Sequence, residues 1–251
     1  MPRQHIDRDY ENELSLLREL LLRMGAHVEK MLRESIRALV ERDTQLAEST
    51  SALDREINRL EIEIDNLCLR ILARRQPVAS DLRFITMVLK VVTDLERMGD
   101  LNVNICERVV ELNEEEPLKP YVDVVAMAKA AEGMLQGALD AFVDGDTERA
   151  LSIIDNDSVV DAYYKSIFRD LLTYMMENPR NIYRATRVQS IAKYIERMAD
   201  HATNVAEMVV FMVRGKDIRH AERAPRSRRD TPPPGALRAN EPDAPKSERR
   251  R

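Results

Sequence analysis

Apolar residues recur at alternating steps of three and four along most of the chain, the spacing that one buried face of an α-helix requires. The first such stripe predicts a helix over residues 10–42. Asp43 offers a capping oxygen for a second helix, which Pro77 ends because proline cannot continue the hydrogen-bond ladder. Ser80 or Asp81 is the expected cap of a third helix.

Two prolines and a run of glutamates interrupt the pattern over residues 113–120 and predict a linker. The helical spacing then resumes, and three more helices follow, the last of them begun by Asn178 as a cap. We therefore expect an all-α protein with six long helices in two tandem, repeat-related three-helix bundles, over residues 5–112 and 121–213. Residues 214–251 lack periodicity and are rich in proline and charge, so this tail is expected to be disordered.

The third and sixth helices repeat each other at an offset of one hundred residues. Between residues 96–110 and 196–210, eight of fifteen positions are identical, where chance gives about one. A weaker repeat links the first helices of the two halves at an offset of 103, from Val40 to Val143. The chain is therefore a duplicated unit whose strongest internal identity falls on a polar motif.

That polar motif places acidic and amide side chains on one face of each helix. At ~100° per residue its positions fall within an arc of about 80°, opposite the apolar stripe. Carboxylates at i and i+4 repel each other when both are ionised. Because this pair occurs in both halves, each acidic face needs a compensating positive charge. Carboxylate and amide oxygens suit hard cations such as Mg²⁺, Mn²⁺ and iron. The candidate metal ligands are Glu96, Asp100 and Asn104 in the first half and Glu196, Asp200 and Asn204 in the second.

Other interpretations of these acidic faces stay open at this point. They are also compatible with a solvated surface whose charge is neutralised by neighbouring Arg and Lys side chains, as in a structural adaptor without metal. A carboxylate-bridged metal enzyme is the second alternative, but the chain has no Glu-x-x-His pair of the di-iron type. His201 follows Asp200, yet its counterpart is Leu101, so it is not expected to be a shared ligand. We predict no catalytic residues.

Charge and composition narrow the class of protein further. The net charge of −5 hides an asymmetry, because residues 214–251 hold 12 Lys and Arg against 6 Asp and Glu, and the rest of the chain is strongly acidic. An acidic body argues against nucleic-acid binding. Cys68 and Cys106 lie among apolar residues, which indicates buried thiols in a reducing compartment. Without a long apolar segment or a signal peptide, the expected location is cytoplasmic, with no direct membrane insertion.

Two segments carry a resemblance to a known family. Residues 94–107, DLERMGDLNVNICE, and residues 194–207, YIERMADHATNVAE, closely resemble the paired signature segments of the PhoU family. The resemblance covers residues 5–213 and implies two similar three-helix bundles. It also implies metal clusters bound on the bundle surface, which here would use Glu96, Asp100, Glu196 and Asp200.

The resemblance further implies a regulatory function. Proteins of this family act beside a phosphate ABC transporter and a sensor histidine kinase, and they restrain the phosphate-starvation response and limit uptake when phosphate is plentiful. Because the resemblance implies bound metal clusters, the expected cofactor is a metal ion such as iron, manganese or magnesium. A homodimer is also expected, because long helices with two equivalent faces offer an extended surface for self-association.

Overall fold

Helices make up nearly all of the backbone in the computed structural model, which describes residues 2–215. In chain order they are α1 (Pro2–Glu41), α2 (Thr44–Ser51), α3 (Asp54–Arg75), α4 (Ala79–Asn113), α5 (Val122–Asp144), α6 (Thr147–Glu177) and α7 (Ile182–Arg214), with a 3-10 turn at Pro179–Asn181. The predicted all-α class with six long helices is confirmed, and no strand occurs between residues 2 and 215. The predicted tail, from residue 216 onward, lies outside the described residues.

The second predicted helix is broken in two, which the apolar stripe did not indicate. Asp43 is the cap of α2, as predicted, because its carboxylate accepts a hydrogen bond from the Leu46 N–H (2.8 Å). The short α2 ends after eight residues, where the Leu53 N–H bonds the Thr50 carbonyl at 3.0 Å. This i to i+3 bond tightens the turn, and α3 starts from it as a separate helix.

The predicted cap of the third long helix is wrong. Helix α4 begins at Ala79, after the extended Val78, which is two or three residues earlier than a cap at Ser80 or Asp81 would place it, so neither residue caps it. The Asp81 carboxylate instead accepts a hydrogen bond from the Tyr10 hydroxyl (2.9 Å), which ties α4 to α1. Asn178 acts as a cap, but of the 3-10 turn that leads into α7, since its side chain accepts the N–H two residues on. Helix α7 itself begins after Asn181.

Corresponding helices of the two halves pack against each other in antiparallel pairs. The beginning of α4 lies beside the end of α7, and the end of α4 lies beside the beginning of α7. The contacts that show this are Arg83 Nε to the Met212 carbonyl oxygen (3.1 Å), Asp94 to His201 Nδ1 (2.7 Å) and the ion pair of Glu111 with Arg187. Helix α4 therefore packs antiparallel to α7, the helix whose sequence repeats its own.

Helices α1 and α5 form the second antiparallel pair. Arg33 pairs with Glu132 at 2.6 Å, and Gly25 lies against Leu139 nearer the start of α1. With the repeat offsets of 100 and 103, equivalent residues of the two halves meet at the middle of each pair, near Met98 and Met198 in α4–α7 and near Met31 and Met134 in α1–α5. Such a pattern corresponds to a pseudo-two-fold axis between the halves. An axis of this kind is normal to the plane of each pair, so equivalent side chains of the two halves stand on the same side of that plane.

The remaining long helices flank this arrangement. Helix α3 packs against α1 and α4, and helix α6 packs against α5 and α7 in the equivalent place. Cys68 and Cys106 are buried and unpaired, as predicted, and burial raises the pKa of each thiol to about 12. Among the described residues, no helix has the length and apolar character needed to cross a bilayer.

The connection between α4 and α5 is held by two arginines. Arg42, in the left-handed conformation (φ 59°) just after α1, donates hydrogen bonds to the carbonyl oxygens of Asn113 (2.8 Å) and Glu115 (2.5 Å). Arg184, from α7, donates to the carbonyl oxygen of Glu116 (2.9 Å). The segment that was predicted as a linker is therefore fixed to both halves.

The close approach of α1 to α5 yields a first prediction. A Cβ at Gly25 would overlap the buried Leu139 side chain, whereas a Cβ at Gly133, also in a helix, would meet nothing within 4 Å. We expect Gly25→Leu to lower the free energy of unfolding by about 1–3 kcal/mol through overpacking. Gly133→Ala should raise it by about 0.5–1 kcal/mol through helix propensity. Urea denaturation measures both, and a stable Gly25→Leu protein would contradict this packing.

Candidate functional site

The first acidic face is formed by two helices and not by α4 alone. Glu96 and Asp100 stand one turn apart on α4, beside Asp54 and Glu61 of α3. Burial raises the pKa of Glu96, and the nearby charges of Asp100 and Asp54 raise it further. The pKa of Glu61 is raised by burial first, and then by the neighbouring carboxylates, Glu96 among them. Four carboxylates therefore share one electrostatic environment.

Asp54 is the most constrained member of this face. Its Oδ1 atom is buried and has no hydrogen-bond partner, while Oδ2 accepts a hydrogen bond from Asn58 (2.9 Å). Oδ1 lies 2.9 Å from the point where a Cβ at Gly99 would stand. Because residue 99 is a glycine, the Asp54 carboxylate can approach α4 this closely. Burial and the charge of Asp100 raise the pKa of Asp54. A cation would stabilise a buried carboxylate oxygen that has no hydrogen-bond partner and lies beside other negative charges.

Arg97 supplies the positive charge closest to the α4 carboxylates. It lies 3.5 Å from Glu96 and 3.4 Å from Asp100, with 60% of its side chain exposed. An exposed arginine on a flexible stem binds such carboxylates weakly. The first face thus carries an excess of negative charge that its own arginine offsets only in part.

The second acidic face has the same construction on α6 and α7. Burial raises the pKa of Asp200, although part of its side chain is exposed, and the charge of Glu196 is the next largest cause. Asp157 and Asp161 of α6 raise the pKa of Asp200 further. The duplicated motif therefore stands against acidic residues of the preceding helix in both halves.

The two faces differ in their counter-charge. Lys193 Nζ lies 2.5 Å from Glu196 and 5.4 Å from the centre of the Tyr164 ring, so an ammonium is already seated within the second face. At the repeat offsets the corresponding residues of the first half are Thr93 and Glu61, a neutral and an acidic side chain. Lys165 also lies 3.4 Å from Asp161. The second face is thus more nearly neutralised than the first, where Arg97 is the cation in contact with Glu96 and Asp100.

Sequence reasoning missed the acidic residues of α3 and α6. The signal was present, because the offset of 103 that links Val40 to Val143 also aligns Asp54 with Asp157. The same offset aligns Asn58 with Asp161, which preserves an oxygen-bearing side chain one turn further on. A repeat search extended to the middle helix of each half would have found these positions.

The two asparagines predicted as further ligands are engaged elsewhere. Asn104 donates a hydrogen bond to the main-chain carbonyl of Asp100 (2.8 Å), and Asn204 lies 3.4 Å from Asp94. Asp94 also bonds His201 Nδ1, so that histidine joins the two halves and stands apart from the acidic face. The structure places Asn104 and Asn204 near the carboxylates but does not aim their amides at them.

The donor set of both faces suits a hard cation, since it consists of carboxylate oxygens, and the first face also holds the unpaired buried oxygen of Asp54. Within residues 8–215, however, no three His, Cys, Asp or Glu side chains are already placed to hold one metal ion. Binding would require these surface carboxylates to rotate toward each other. The prediction of metal ligands therefore remains a prediction.

Comparison with known families gives a match in each half of the chain. The PhoU domain matches residues 21–109 and, a second time, residues 124–209. The chain belongs to the PhoU family. The two matches coincide with the duplicated units, and each contains one of the acidic motifs described above.

Relatives extend this similarity over most of the chain. The "Phosphate-specific transport system accessory protein PhoU homolog" of Pseudomonas putida is 44% identical over 217 residues, which cover 86% of this chain and 85% of the relative. PhoU of Escherichia coli, with the same accessory description, is 36% identical over 86% of this chain and 90% of its own.

Two solved PhoU structures share the fold. The crystal structure of PhoU from Pseudomonas aeruginosa has a TM-score of 0.79 and 43% identity, and covers 82% of this chain and 100% of its own. The phosphate transport system regulatory protein PhoU from Streptococcus pneumoniae has a TM-score of 0.77 and 30% identity, covering 83% and 99%. PhoU proteins are named as accessory or regulatory proteins, which confirms the prediction that this chain is not an enzyme.

The difference between the two faces yields a second prediction. We expect Glu96→Gln to raise the free energy of unfolding near neutral pH by about 0.5 kcal/mol in chelator, because it removes one of several mutually repelling carboxylates. The native pKa of Glu96 lies above its ordinary value of 4.5, so its charge costs stability as the pH rises through that native pKa. The gain should vanish below about pH 3.5, where the carboxyl is protonated in both the folded and the unfolded state. Urea denaturation at several pH values measures it.

Glu196→Gln is the matched control for this experiment. It removes the carboxylate that pairs with Lys193 at 2.5 Å. We therefore expect no gain in the free energy of unfolding near neutral pH, and a decrease of at most about 0.5 kcal/mol. Equal gains in both variants would contradict the difference in counter-charge between the faces.

Proposed function

We propose that this chain is a cytoplasmic, metal-binding negative regulator of phosphate uptake and of the phosphate-starvation response. The observation that carries the proposal is the duplicated acidic face of a PhoU-family protein, built from two helices in each half. Relatives that match this chain over most of both lengths are named accessory proteins of the phosphate-specific transport system. Their names support a role in regulating phosphate uptake.

The proposed cofactor is a hard cation such as iron, manganese or magnesium. Bound at the first face, it would take over the neutralising role of Arg97 and offset the burial and the like charges that together raise the pKa of Glu96. The proposed ligands are the carboxylates of Glu96, Asp100, Asp54 and Glu61 in the first half and of Glu196, Asp200, Asp157 and Asp161 in the second. Asn104 and Asn204 would join them only by giving up their present contacts.

The proposed partners are the phosphate ABC transporter and a sensor histidine kinase, approached from the cytoplasmic side. The pseudo-two-fold axis supports this, because it turns two equivalent acidic faces to the same side of the α4–α7 pair. A cation that cross-links neighbouring helices would brace that side for contact with a partner. Self-association into a homodimer would extend the surface further.

A structural adaptor without metal is the second candidate, and one observation favours it. Arg97 and Lys193 already lie within 4 Å of the α4 and α7 carboxylates, so protein side chains supply part of the counter-charge. In that case the acidic faces would contact basic surfaces of a partner directly. Metal binding by the purified protein distinguishes the two candidates.

We expect the purified protein to bind Mn²⁺ and to melt at a higher temperature when it is bound. Asp100→Asn combined with Asp200→Asn should weaken binding by about tenfold or more, because each face loses a central ligand. The control is Glu48→Gln combined with Glu63→Gln, which removes the same charge from other positions of α2 and α3. Isothermal titration calorimetry and elemental analysis measure binding, and equal affinities of the two double variants would refute the ligand assignment.

We also expect a strain that lacks this protein to express phosphate-starvation genes despite abundant phosphate. The wild-type gene should restore repression, and Asp100→Ala with Asp200→Ala should not, because both acidic faces are weakened. A transcriptional reporter measures the response. Intact repression in the deletion strain would contradict the regulatory role, whereas full complementation by the double variant would move the regulation away from the acidic faces.

A further inference from the structure

An open groove runs along the pair formed by α1 and α5, on helices that do not contribute to the acidic faces. It consists of two adjoining cavities of about 730 Å³ and 330 Å³, which share Val40 of α1 and Val125 of α5. The connection that leads into α5 closes one end, with Pro117 and Leu118 in its wall. The groove therefore lies between two antiparallel helices, in the position that a third helix packed on both of them would occupy.

The floor of this groove is apolar, and two of its side chains are exposed. Val40 is 51% and Val122 is 70% exposed, although both are aliphatic. Further apolar side chains that line the groove are Leu32, Ile36, Ala128 and Tyr121. Contiguous apolar surface at an inter-helix groove is typical of sites that receive another apolar helix face.

The rim of the groove is basic, in contrast to the acidic body. Its charged lining residues comprise five cations and a single anion, namely Arg33, Arg37, Arg42, Lys119, Lys129 and Glu132. Lys129 makes no ion pair or hydrogen bond with any other described residue, and Arg42 bonds only main-chain carbonyls. Two of the five cations are thus left without a carboxylate, and their charge is available to a ligand.

We propose that this groove binds an amphipathic helix of a partner protein, whose apolar stripe is flanked by Asp or Glu. The apolar face would cover Val40 and Val122, and the flanking carboxylates would meet Lys129 and Arg42. The lining stretch of α1 from Leu32 to Val40 spans about 12 Å at 1.5 Å per residue, which matches just over two turns of a helix. The proposal needs neither metal binding nor a role in phosphate regulation.

Other occupants fit the groove less well. A second copy docked groove to groove would set one basic rim against another, and like charges oppose such an interface. Nucleic acid would contact the cations through its phosphates but would leave the apolar floor uncovered. An acidic amphipathic helix satisfies the rim and the floor together.

A designed peptide tests the proposal with the full-length protein. The probe is a fluorescently tagged helix of about 14 residues with Leu at i, i+3 and i+4 spacing and Glu beside the stripe. We expect saturable binding by fluorescence anisotropy, weakened by added salt. Val40→Glu should abolish it, and Lys129→Glu should weaken it about fivefold or more. Ile62→Glu is the matched control, because Ile62 is an equally exposed aliphatic residue (62%) on α3, away from the groove, and should bind like the wild type.

Each remaining outcome overturns the proposal. Absence of binding, equal binding of a peptide with Lys in place of Glu, or equal loss in the Val40→Glu and Ile62→Glu proteins would each refute it. Displacement of the peptide by a short DNA duplex, with no effect of Val40→Glu, would identify a polyanion site. Dissociation of an oligomer by Val40→Glu, measured by sedimentation, would assign the groove to self-association.

Discussion

The antiparallel packing of α4 on α7 is the contact on which the rest of the structure depends. Each of these helices buries fifteen residues, more than α3, α5 or α6. Because α4 and α7 are repeats of each other, one apolar pattern serves both sides of the interface, and the pair of Asp94 with His201 fixes its register. Helices α3 and α6 then dock on the outer sides of this pair, where they meet the acidic motifs.

This arrangement explains why charged residues are tolerated on the most buried helices. A long helix packed on several sides retains one narrow stripe near solvent, and the carboxylates of α4 and α7 occupy it. Repulsion between neighbouring carboxylates costs only tenths of a kcal/mol per pair. Burial of one large apolar side chain contributes about 1.5–3 kcal/mol, so the core readily offsets that cost. Rigid helices also hold the carboxylates at constant spacing, as a binding surface requires.

The sequence predicted the helices well, because apolar spacing reports directly which face of a helix is buried. It did not predict the break after α2 or the start of α4, since local hydrogen bonds at Thr50 and Val78 decide these ends. Glu96 and Asp100 were found from the repeat, but Asp54 joins them only through the packing of α3 on α4. The groove beside Val40 has no sequence signature, because it arises where two distant helices fail to be covered by a third.

The segment clamped by Arg42 and Arg184 has a consequence for the integrity of the molecule. Its main-chain carbonyls are held from α1 on one side and from α7 on the other, and the halves also share two antiparallel helix interfaces. Chain continuity at this point therefore does little more than keep the halves at a high effective concentration. A protein cut there by a protease, or produced as two polypeptides, would reassemble through the same helices that hold the unbroken chain together.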